Sequence, residues 1–254
     1  MSSLQLKMKT QKGDYIMDER FVTDYSKMSK VYTFTDEEIE KLEMKPSAIW
    51  RKKIEVCNNE EALKAFDEFA AMFTQVHDTL GRWITYVMSA LYKEGGEEAT
   101  EKAMIDFLQP TWKMMSEHFW DMDFKDRVIF SVNAAKNSHD VPVVFDGEDD
   151  EKIVFHMEPC GSGQKLREEG LYDEPKNLAL CKAHRMTADI GDFPVYCVHA
   201  PLGDLCAIQA SGHPAWVMDF ANPVASCACK YIVYKRKEDI PEFYYTRLGL
   251  KKPE

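Results

Sequence analysis

Six of the seven cysteines and four of the seven histidines of this 254-residue chain fall between His156 and Cys229. Three evenly spaced doublets lie there: His156 with Cys160, Cys197 with His199, and Cys227 with Cys229. On an extended strand, residues two or four apart share a face, so three neighbouring strands would bring thiolate and imidazole to one point. That donor set is what zinc prefers, with ferrous iron as the other candidate. The expected ligands are Cys160, Cys197, His199 and Cys229. Against this, the paired Cys-x-x-Cys knuckles of zinc ribbons are absent, and a cysteine on a strand serves equally well as a small buried hydrophobe.

The string Glu158-Pro-Cys-Gly-Ser-Gly-Gln-Lys-Leu-Arg167 offers a second chemistry. Two glycines around a serine allow a tight turn whose amides could face an oxyanion. Lys165 and Arg167 add positive charge that favours a thiolate. Cys160 would then be a nucleophile, with His156 or His199 as its base and Asp192 as a candidate general-base carboxylate. The spacing matches neither a nucleophile elbow, a phosphate loop nor a dinucleotide fingerprint. The plain alternative is a glycine-rich turn from strand to helix.

The bulk composition narrows the field. A net charge of -11 disfavours a nucleic-acid partner, which needs clustered Lys and Arg. No apolar run is long enough to span a bilayer, and residues 1–20 carry no export or transit pattern, so the expected location is the cytoplasm. An odd number of cysteines without an export signal points to reduced thiols, not a disulfide framework.

These residues must be positioned by a fold that reads as α+β: an N-terminal helical hairpin or bundle followed by an antiparallel β-sheet carrying the Cys/His site. Residues 1–45 form an arm ending in a short helix, whose start is a Thr35/Glu38 capping box. Residues 46–138 are helical. From 60 to 93, Phe66, Phe69, Phe73, Val76, Leu80, Trp83, Ile84, Val87 and Leu91 recur at spacings expected of a buried stripe. Gly95-Gly96 should cap that helix. Further helices are expected over 97–120, kinked at Pro110, and over 125–136. A His77-Asp78 pair could meet Glu117-His118 across two helices. In the region 139–254, a β-hairpin spans 141–145 and 152–157, and strands are expected at 193–199, 205–210, 215–220 and 228–234.

The strings Val195-Tyr-Cys-Val-His199 and Ser226-Cys-Ala-Cys229, with the ending Cys229-Lys-Tyr-Ile-Val-Tyr234, resemble the aminothiazoline-carboxylate hydrolase family over the last third of the chain. The resemblance implies hydrolysis of a carbon–nitrogen bond in a small ring, and it assigns no catalytic residue. The reading that results is a metal-dependent hydrolase or lyase for a small polar or aromatic metabolite. Its rivals are a metal-free thiol hydrolase and a ligand- or redox-sensing module with a structural metal. In the last case the helical half would supply a homodimer interface or an effector pocket.

Overall fold

The structure is a computed structural model describing residues 7–10, 13–16, 28, 32–56 and 59–254. Cys57 and about half of the expected arm lie outside the described residues. Strands β1 (Lys7–Thr10) and β2 (Gly13–Ile16) pair antiparallel. Helix α1 (Asp36–Glu43) opens on the expected box: Thr35 and Glu38 each satisfy the other's backbone N–H. Helix α2 (Pro46–Glu55) starts on proline at its first position, where the missing N–H costs nothing.

Helix α3 (Glu60–Ser116) dominates the molecule. The expected stop at Gly95-Gly96 is instead a single break: Gly96 has φ 68° and ψ -162°, a region essentially reserved for glycine. No loop follows, so the two expected helices are not a hairpin. The apolar stripe from Phe69 to Val87 is exposed, not buried as its periodicity suggested. Met88, Thr85 and Ser89 pack inward instead. Thr85 and Ser89 are buried, and the Ser89 hydroxyl accepts from the Ala179 N–H. Arg82 makes a two-pronged 2.7 Å contact with Glu169 from the same side.

After α4 (Phe124–Asn137) the chain forms a four-stranded antiparallel sheet in the order β3-β4-β8-β7, built from β3 (Val143–Glu148), β4 (Lys152–Met157), β7 (Val217–Asp219) and β8 (Lys230–Tyr234). Between β4 and β7 lie helix α5 (Gly163–Glu168), the two-residue pair β5 (Leu180–Cys181) and β6 (Phe193–Pro194), and helix α6 (His199–Ser211). Helix α7 (Phe243–Thr246) ends the fold. The strand expected over 193–199 shrinks to two residues and a 3-10 turn, and that expected over 205–210 is part of α6. Every residue from Pro201 to Ile208 is buried. A helix apolar all round shows no 3.6-residue rhythm, so in sequence it cannot be told from a buried strand. No helix among the described residues is long and apolar enough to cross a membrane.

Candidate functional site

The alternation of β4 and β8 divides the sheet chemically. Phe155 stands opposite Tyr231, their rings stacked at 5.1 Å, and Tyr231 stands opposite Met218. This face looks into a cavity of about 740 Å³. Its walls come from both sides of the Gly96 break, from the end of α4 and from the start of α6, and include Trp83, Met88, Phe107, Trp112 and Trp216. The lining is mostly apolar and aromatic, with His77, His139, His199, Tyr196 and Tyr231 supplying polar groups. Large apolar cavities with a few polar groups are where small molecules bind.

With both imidazoles neutral, the hydrogen bonds fix where the protons sit. Asp78 can only accept, so His77 donates from Nδ1 to it at 3.3 Å. His77 Nε2 then carries a lone pair and accepts from His139 Nδ1 at 2.7 Å, which leaves the lone pair of His139 on Nε2. Burial, together with the neighbouring His77 and His199, pushes the His139 pKa down to about 4. His199 donates from Nδ1 to the Tyr196 carbonyl at 2.7 Å, so its Nε2 is likewise unprotonated, and burial lowers its pKa. Lys165 bonds the other oxygen of Asp78. Burial opposes the charge on Asp78, but Lys165 and His77 outweigh it and hold the carboxyl below its ordinary range. The phenols go the other way: burial raises both Tyr196 and Tyr231, leaving them as donors.

The structure gathers part of the expected sulfur set. Cys160, Cys197 and Cys229 are electrostatic neighbours, and Cys160 also lies within interaction range of Cys227, Tyr196 and Tyr231. Burial, and then the other two thiols, keep Cys197 protonated. Burial raises Cys229 too, partly offset by the Ala221 N–H. Cys197 reaches this place from a 3-10 turn and Cys229 from the loop before β8, not from strand faces. His199 belongs to the histidine group. Among the described residues no three His, Cys, Asp or Glu side chains are disposed to hold a metal ion.

The glycines beside Cys160 serve close approach. Neither Gly161 nor Gly163 has a positive φ. A Cβ on Gly161 would stand 2.3 Å from the Cβ of His139, and one on Gly163 would stand 2.7 Å from the Cys197 sulfur. Replacing Gly161 by alanine should therefore push His139 aside and destabilise the protein by about 1–3 kcal/mol, the usual cost of overpacking. Urea denaturation checks this; an unchanged midpoint would mean that the loop moves freely.

The remaining expected residues sit elsewhere. His156 is buried on β4, with Nδ1 2.9 Å from Asp146 and Nε2 3.4 Å from Glu158. Asp192 is exposed in a turn with φ 51°. Cys181 is buried on β5, where burial and then Glu97 raise its pKa to about 12. His77-Asp78 meets His139 and Lys165, while His118 is exposed and contacts Asp121.

No protein-family model, curated protein or solved structure matches the chain. The likeness to the aminothiazoline-carboxylate hydrolases thus rests on the short strings alone.

Proposed function

We propose that this protein is a thiol-dependent hydrolase of a small, partly aromatic molecule bound in the 740 Å³ cavity. The observation that carries the reading is the polar group of that cavity: neutral His139, its lone pair directed to Nε2 by the Asp78–His77 chain, beside two protonated phenols. Cys160, next to the glycine that packs on His139, is the assigned nucleophile. His139 accepts the thiol proton, the sulfur attacks the carbonyl carbon of an amide, the carbon–nitrogen bond breaks, and the proton passes to the departing nitrogen. Water then hydrolyses the thioester.

The three neighbouring thiols favour a second reading, a zinc or ferrous iron site. Among the described residues the donor arrangement does not fit one ion. One experiment separates the two. The purified protein is analysed for metals and incubated with a panel of aromatic amides and cyclic amidines, and mass spectrometry seeks an adduct on Cys160. Metal-free protein with an adduct that Cys160→Ser abolishes, along with roughly a thousandfold of the turnover, supports the thiol reading. Stoichiometric metal lost in the same variant supports the other.

A further inference from the structure

We infer that the exposed stripe of α3 is the core of a helix-to-helix interface with a second copy of this chain. Phe69, Phe73, Val76, Leu80, Trp83 and Val87 are spaced 4, 3, 4, 3 and 4 residues apart. That alternation is the 3.5-residue repeat of a coiled-coil seam, in which side chains of one helix fill holes on another. All six are exposed, Phe69 at 59%, Val76 at 52% and Trp83 at 63%. Together they show on the order of 600 Å² of apolar surface, taking roughly 150–250 Å² for a whole aromatic side chain. That reaches the top of the range of about 300–600 Å² for the largest patch on a monomer. With Met72, Ile84 and Phe107, also exposed, it comes close to the roughly 800 Å² per partner of a standard interface.

Charge placement selects a second copy. Two chains each carrying -11 repel, and the repulsion is least where the surfaces that meet carry no charge. Between residues 65 and 91 the only charged side chains are Asp67, Glu68, Asp78 and Arg82. All four fall outside the core positions of the repeat and the positions flanking them. The stripe is therefore a neutral strip on an acidic protein, suited to an equally acidic partner bearing the same strip. It also has a consequence for the cavity. Leu80, Trp83, Ile84 and Phe107 belong both to the exposed surface and to the cavity wall, so the partner helix would cover the outer rim and shut out water.

Sedimentation velocity on the full chain across a dilution series tests this, and it does not depend on any activity. Phe69 and Val76 do not line the cavity, so a Phe69→Glu/Val76→Glu variant leaves the cavity intact and, being changed only at exposed positions, should fold with an unaltered circular dichroism spectrum. The wild type is expected to be a dimer and the variant a monomer, with dimer affinity reduced at least about thirtyfold for each core residue lost. A wild type that stays monomeric at every concentration overturns the inference. If that monomer also fails to bind a hydrophobic dye, the stripe is covered by the chain's own residues 1–31. A dimer that survives both glutamates overturns it equally.

Discussion

Replacing Lys230 by methionine should destabilise the fold by about 3–5 kcal/mol, the cost of leaving a buried charge without its partner. Lys230 is 0% exposed at the start of β8, and its ammonium donates to Asp146 at 2.7 Å. Asp146 is the extra residue where the β3–β4 register slips between Phe145 and Gly147. Such a bulge re-aims a side chain, and here the carboxylate meets both Lys230 and His156 on the sheet face away from the cavity. Burial alone would raise the Asp146 pKa, but His156 and Lys230 reverse this and lower it. Methionine fills nearly the same volume and deletes the charge with its hydrogen bonds. The check is a double-mutant cycle by urea denaturation: Asp146→Asn should cost much less in the Lys230→Met background than in the wild type. Full additivity of the two losses would show that they do not act as a pair.

Acidification should reveal His139 just as directly. Its pKa is about 4 in the folded protein, against roughly 6.5 in an unfolded chain. A group whose folded pKa is depressed contributes stability that is fully present above the unfolded value and is lost as pH falls toward the folded one. Between about pH 6.5 and 4 the wild type should therefore lose about 3 kcal/mol through this residue, with His199 adding in the same direction. His139→Gln, which cannot take up a proton, should flatten much of that decline. If the imidazole is also the base, kcat/KM should hold down to about pH 4 and the variant should lose roughly 10²–10⁴ in rate. A stability profile with the same slope in both proteins would contradict the burial of this ring.

Local rules carried the reading of the sequence well where neighbours in the chain decide the outcome. The Thr35/Glu38 box and the 141–157 hairpin are contacts within a few residues, and they stand in the structure. Helix α6 was hidden because burial on all sides erases its rhythm. The stripe of α3 showed its period but not what it would face, since a coiled-coil seam and a core stripe are nearly the same pattern. The histidine group was the hardest to foresee: His77 and His139 are 62 residues apart and neither sits in a motif. The one usable sign was the His77-Asp78 pair, expected against Glu117-His118 and found against His139 and Lys165. Cys160, Cys197 and Cys229 lie within electrostatic range of one another, carried by loops and a tight turn and not by strand faces.

The backbone of Gly96 sets the angle between the two arms of α3, and both arms contribute to the wall of the chamber. One dihedral pair thus acts as the caliper of the cavity. Molecules of different girth could be admitted by changing that single setting while every residue that touches them stays the same.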